Sequence, residues 1–165
     1  MQDRYRFRAK LKNIDNWVYG AYLKMLPYQP NPVGHRKPLE TEYRHLIITE
    51  GSADWGMPRE IAAYEVIPET VGQCTGLKDK NGKLIYEGDI LQSEEYPFKN
   101  DRGYNYSAEV CYDEESASYF YYVVRISTNV VGRAEGNTGH LDDYEWEIIG
   151  NIYENPELLE VSSEK

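Results

Sequence analysis

Residues 71–90 read VGQCTGLKDKNGKLIYEGDI, and the reading of this stretch decides the fold. Asn81-Gly82 accepts positive φ at both central positions of a two-residue hairpin, so the segment predicts a type I′ turn. A second turn follows at Gly88-Asp89, and the short apolar run Leu84, Ile85 and Tyr86 lies between the two. Turns this close together leave room only for short strands. Nothing in the segment forms a constellation that performs chemistry, so it speaks of architecture alone.

Working outward, the residues before and after the segment alternate as strands do. Arg4, Arg6, Arg8, Lys10 and Lys12 alternate with Tyr5, Phe7, Ala9 and Leu11. Successive strand side chains point to opposite faces, which predicts one apolar and one basic face. Trp17–Met25, Tyr43–Thr49 and Ile61–Val66 read as further strands, and Pro27, Pro30, Pro32 and Pro38 mark a long loop. Downstream, Asp89–Ser93, Ala108–Tyr112 and Tyr119–Ile126 are predicted strands. The last is apolar on both sides, which predicts cover on both. Asp143–Ile149 alternates again, with Tyr144, Trp146 and Ile148 opposite Asp143, Glu145 and Glu147. Pro156 and Glu157 then suit the first turn of a short helix. The pattern predicts an all-β fold, a small barrel or a strongly twisted antiparallel sheet with long loops and a short C-terminal helical turn. A single domain over 1–160 with a frayed tail at 161–165 fits the length.

The chain has 165 residues, sixteen of them tyrosine, and a net charge of −10. Residues 1–50 carry nine basic and five acidic side chains, a net of +4, whereas 51–165 carry nine and twenty-three, a net of −14. The overall sign disfavours a general nucleic-acid binder, whose affinity comes from neutralising phosphates. Cys74 and Cys111 are too few for a disulfide framework or a four-ligand zinc site and are expected to be reduced core thiols. The N-terminus lacks an apolar stretch of signal-peptide length, and no run is long enough to span a bilayer. A soluble protein of a bacterial cytosol, without cofactor or metal, is the expectation.

The central segment resembles the signature of the YopX family, small proteins carried mostly by bacteriophages and prophages. Val71, Gly72, Gln73, Thr75, Gly76, Leu77, Asp79, Asn81, Gly82, Ile85, Tyr86, Glu87, Gly88, Asp89 and Ile90 fit it as they stand. The opening Arg6-Phe7-Arg8-Ala9 and the closing Ile149-Gly150-Asn151-Ile152-Tyr153-Glu154-Asn155-Pro156 agree with it too. Cys74 departs from it, where an aromatic is usual, and Lys10 replaces a tryptophan. The resemblance implies a mainly β architecture and a phage or prophage origin. It implies no mechanism.

Three groups of residues could form a surface of use. The basic face of Arg4, Arg6 and Arg8 suits a phosphate stripe, or it pairs across strands with the acidic face of Asp143, Glu145 and Glu147. The pairing explains both stripes at once and is the expectation. Tyr104 and Tyr106, in a polar loop, suit contact with a partner. The carboxylates near His140 spread along one strand face rather than converging, and Leu77 and Gly88 fall where a calcium loop over Asp79–Gly82 needs carboxylates. The three histidines are scattered, and no Ser or Cys has a nucleophile context. The sequence therefore predicts a non-enzymatic protein that binds a phage or host protein, self-association being one form. The alternative is nucleic-acid interaction, through the basic strand or through acidic mimicry of DNA.

Overall fold

A computed structural model describes residues 5–27, 38–51, 60–93, 105–127 and 138–159. Eleven strands are present among them: β1 Phe7–Lys10, β2 Trp17–Met25, β3 Arg44–Glu50, β4 Ile61–Glu65, β5 Gly72–Lys78, β6 Leu84–Tyr86, β7 Asp89–Gln92, β8 Asn105–Asp113, β9 Ser118–Ser127, β10 Thr138–His140 and β11 Glu147–Asn151. Helical structure among the described residues is limited to 3-10 turns, one of them at Pro156–Leu158 where the helical turn is expected. The fold is all-β. Its sheets are antiparallel and open, so the barrel alternative does not hold.

The chain forms two compact units, one over Asp3–Gln73 and one over Cys74–Lys165. In the first, strands lie in the order β4-β3-β2-β1, and Gly72 and Gln73 at the start of β5 pair with Arg8 and Phe7. One face of this sheet buries Ala9 and Ile47 together with Val66, and Phe7, Val18 and Tyr22 pack against them. Gly20 is required here, because a Cβ would lie 2.1 Å from the Ile48 carbonyl oxygen of the adjoining strand. The end of β1 also meets the end of β4 through the single bridge Leu11–Val66, supported by Lys12 N–H donating to Glu65 O at 3.1 Å. One bridge is not a ladder, and the sheet stays open.

The second unit orders its strands β10-β9-β8-β7-β11, with β6 paired to the later half of β5. Its core joins Ile85, Leu91, Val110, Val123 and Leu141 to an aromatic cluster of Tyr121, Tyr144 and Trp146, with ring centroids 4.9–6.0 Å apart. On β9, Tyr121 and Val123 are buried, but Tyr122 on the opposite side is 40% exposed. The predicted cover on both sides of that strand is thus incomplete. Cys74 is buried, Cys111 is half-buried, and neither is in a disulfide.

The Asn81-Gly82 turn forms, but by another geometry. Gly82 has φ of +81°, whereas Asn81 is absent from the non-glycine residues with positive φ. Gly82 N–H donates to Asp79 O at 2.9 Å, and Asp79 N–H to Lys83 O at 2.8 Å. This is a tight turn over Lys80 and Asn81 closed by a left-handed glycine, the three-residue hairpin with a G1 bulge rather than type I′. The Asp79 side chain selects it. Its Oδ1 accepts N–H bonds from Asn81 at 2.9 Å and Lys83 at 2.8 Å, which fastens the loop to its own first residue.

The same carboxylate reaches further. Asp79 Oδ2 accepts the N–H of Ile148 on β11 at 3.3 Å, Lys80 N–H donates to Trp146 O at 2.8 Å, and Lys80 Nζ pairs with Glu147 at 2.8 Å. Burial raises the Asp79 pKa, but the N–H donors of Lys83, Ile148 and Asn81 outweigh it and hold the group below its ordinary value. A lowered native pKa contributes stability that is complete above the ordinary aspartate range, near pH 4, and lost as pH falls through the native value. Asp79→Asn turns an amide donor or a neutral oxygen toward three N–H groups. Urea unfolding should show it less stable by about 2–3 kcal/mol at pH 7, with the gap from the natural protein closing as pH drops below about 4.

Candidate functional site

The signature residues are structural wherever their contacts are resolved. Asp89, 1% exposed, accepts the Tyr86 N–H at 2.8 Å across the second turn. Gly88 has φ of +77°, and a Cβ there would lie 3.2 Å from the Tyr153 ring. Its N–H donates to Val110 O and its O accepts from Ile152 N–H, both at 2.9 Å. The closing motif is likewise self-bonded, with Asn151 Oδ1 accepting the N–H groups of Tyr153 and Glu154 and its Nδ2 donating to Glu154. Thr75 Oγ1 donates to Ile85 O and accepts from Leu77 N–H, opposite the bulge where Gly76 has φ of +84°. Gly72 and Gln73 serve the ladder with β1. The closing motif therefore packs on the signature turn.

The expected ladder between the basic and acidic stripes is not formed. Both edges of β1 are taken, by β2 and by β5, while β11 pairs with β7. Asp143 and Glu145 precede β11: Asp143 closes a turn with His140, accepting its N–H at 3.0 Å, and Glu147 alone belongs to the strand. Alternation over 143–147 arises because Tyr144 and Trp146 plug the core from a turn.

Nor does the basic face stand open. Arg4 lies outside the described residues, and Arg6 is half-buried. Arg8 is 5% exposed, with its guanidinium carbon 4.9 Å from the centroid of Trp17, and Lys10 lies over the same ring while pairing with Asp15 at 2.8 Å. The register explains this, since Arg8 lies opposite Tyr19 and Lys10 opposite Trp17, so the charges stack on aromatic neighbours. Arg8→Ala should lower the thermal stability of the protein by about 1–2 kcal/mol through lost stacking and packing. An unchanged melting curve would return this residue to the phosphate reading.

Tyr104 lies outside the described residues, as does the tail 161–165. Tyr106 falls within β8, opposite Ile126, instead of in a loop. What the fold does gather lies in the first unit, and it consists of a cleft and a sheet face.

The cleft has a volume of about 580 Å³ and is lined by Lys12, Glu40, Tyr43, His45, Glu65 and the Val66-Ile67-Pro68 corner, among others. Of the lining residues, His45 has its Nδ1 2.6 Å from the Tyr22 hydroxyl and its Nε2 3.8 Å from Glu40. Burial raises the Tyr22 pKa, which keeps its proton on the hydroxyl. Lys24 bonds Glu40, and its ammonium lies 4.7 Å from the Tyr43 ring centroid; the Glu40 bond raises its pKa. Glu65 is held low by its bond to Lys12 and also meets Arg44 at 3.4 Å. The charged groups thus satisfy one another. In the second unit the Cys111 thiol is pushed up to about 12, by burial first and then by Glu109 and Glu87, which makes it a poor nucleophile. Among the described residues no group of three or more His, Cys, Asp or Glu could hold a metal, and no helix is long and apolar enough to cross a membrane.

The sheet face opposite the first core is the other feature. Tyr19, Ala21, Leu23 and Met25 are all exposed along one side of β2, with Tyr19 at 40% and Leu23 and Met25 each at 39%. Across the ladder, Ala21 faces Ile48 on β3, and Ile48 faces Ala63 on β4. On that outer strand Ile61 is 80% exposed. On β3 the same face carries half-buried Ile48 and buried Leu46, the latter opposite Leu23, so the exposed apolar positions lie on β2 and on β4, either side of it. The sequence carried the signal in Trp17–Met25, whose odd-numbered positions are apolar like several even ones. A strand apolar on both sides does not say which side faces the core.

A family model described as YopX protein matches residues 6–160. No curated protein matches the chain. Among solved structures, the crystal structure of protein EF1440 from Enterococcus faecalis aligns over 94% of this chain and 97% of its own, with 25% identity and a TM-score of 0.48.

Proposed function

The chain belongs to the YopX family, and from that premise we propose that it works without catalysis, by binding another protein through the apolar face of its first unit. The observation that carries this reading is the exposed row Tyr19, Ala21, Leu23 and Met25, continued by Ile61 and Ala63 on the outer strand. Water pays a hydrophobic penalty along such a row that a complementary apolar partner removes. Tyrosine and methionine are also side chains that contact surfaces favour, because they present large, adaptable area. The acidic excess of −10 adds a polar frame that disfavours nonspecific association with nucleic acid.

A phage or prophage origin and action in the cytoplasm of a bacterial host belong to the same proposal and follow from the family resemblance. The partner is then a protein of phage or host. The nucleic-acid alternative loses support from the engagement of Arg8, Lys10 and Lys12 with Trp17, Asp15 and Glu65.

The test is a paired capture from host extracts with the natural chain and with Leu23→Glu/Met25→Glu. Both substitutions sit at exposed positions, so each should change stability by no more than about 0.5 kcal/mol. The expected result is a protein retained by the natural chain and lost with the double variant. Equal retention by both would contradict the assignment of this face.

A further inference from the structure

We propose that the outer strand β4 pairs antiparallel with β4 of a second copy of this chain, joining two first units into one continuous sheet. This deepens the binding reading by naming one partner of the same unit. β4 is the last strand in its order, and it pairs with β3 over five residues in an unbroken register, Leu46 with Glu65 through Glu50 with Ile61. Gly51 N–H donates to Glu60 O and Val66 N–H to His45 O, which fixes the alternation between them. Glu60, Ala62, Tyr64 and Val66 turn their backbone groups toward β3, so Ile61 and Ala63 turn theirs to the open edge. Glu65 O already accepts from Lys12.

Natural edges are guarded by lysine, proline, bulges or cover. β4 reads Ile-Ala-Ala-Tyr-Glu, with no lysine, proline or bulge among its five residues, and its Ile61 is 80% exposed. An antiparallel copy in the register Ile61 opposite Ala63 uses only the four outward-facing residues of the two strands. It sets Ala62 against Ala62 at the axis, where nothing bulky intervenes, and Glu60 against Tyr64, so no carboxylate opposes its twin. Paired residues share a face, so each Ile61 then lies beside the other copy's Ala63 and the two apolar faces run together.

Charge selects the same arrangement. The Ile61 end of the strand carries the carboxylates of Glu50 and Glu60, while at the other end Lys12 and Arg44 outnumber the Glu65 carboxylate they pair with. Antiparallel copies bring each acidic end toward its partner's basic end. A parallel arrangement would set like against like.

Sedimentation equilibrium from micromolar to millimolar protein tests this, on the natural chain, Ile61→Lys and Ala63→Pro. Lysine places a guard on the edge, and proline removes only an N–H that faces away from β3. The average mass of the natural chain should rise from the monomer's 19.2 kDa toward twice that value, while both variants stay monomeric with unchanged melting. A natural chain that stays monomeric throughout, or dimers that persist in both variants, would overturn the proposal. Capture of a host or phage protein is read separately. If Ile61→Lys is monomeric yet still retains that protein through the apolar face, pairing at the edge and binding at the face are distinct properties, and each stands. If the chain dimerises but Leu23→Glu/Met25→Glu retains everything the natural chain does, the face assignment fails and the edge pairing survives.

Discussion

A single buried carboxylate organises the second unit. Asp79 takes three backbone N–H groups, from Asn81 and Lys83 within its own turn and from Ile148 on β11. The first two bonds choose the turn, and the third joins that turn to a strand almost seventy residues later. Once Ile148 is placed, β11 lies along β7, Trp146 enters the core beside Tyr121, and Lys80 meets Glu147. A carboxylate with several charge-assisted donors is worth more than neutral hydrogen bonds of the same number. The chemistry of the family signature is therefore the chemistry of holding a fold.

The most recognisable residues are therefore occupied with the fold. Asp79, Asp89, Gly88 and Asn151 are buried or bonded within the second unit and offer little to a partner. The first unit spends its residues differently. One side of its sheet makes a small core around Ile47, and the other leaves Tyr19, Leu23, Met25 and Ile61 to solvent. Behind His45 and Glu40 of its cleft, Tyr22 and Lys24 complete a chain of mutual contacts that fixes these side chains.

Much of this was legible in the sequence, and the misreadings have definite causes. The strands at Trp17, Arg44, Ile61, Asp89 and Ser118 were visible as short apolar or β-favouring runs between turn residues, and the hairpin at Asn81-Gly82 through its turn residues. The turn type was not, because the side chain of Asp79 competes with the preference of Asn-Gly for two left-handed residues. The basic stripe on β1 was real as a pattern but misleading as a surface, for its cover is supplied by Trp17 and Tyr19 on a neighbouring strand. Asp143, Tyr144, Glu145 and Trp146 alternate like a strand, yet the His140–Asp143 turn holds them out of the ladder. Pairing partners are long-range choices, and period-two patterning carries no information about them. The same limit hid the apolar face, since alternation on β2 could not tell core from solvent.

The central claim is that contact with partners belongs to the first unit, and that the signature turn belongs to the fold. Amide hydrogen exchange, followed residue by residue in dilute and in concentrated protein, tests it most directly. The account predicts that Ile61 and Ala63 exchange rapidly in dilute solution and slow markedly on concentration, while the amides of Asn81, Lys83 and Ile148 stay protected and unchanged. Protection that rises instead in the 79–90 segment, with β4 indifferent to concentration, would contradict it.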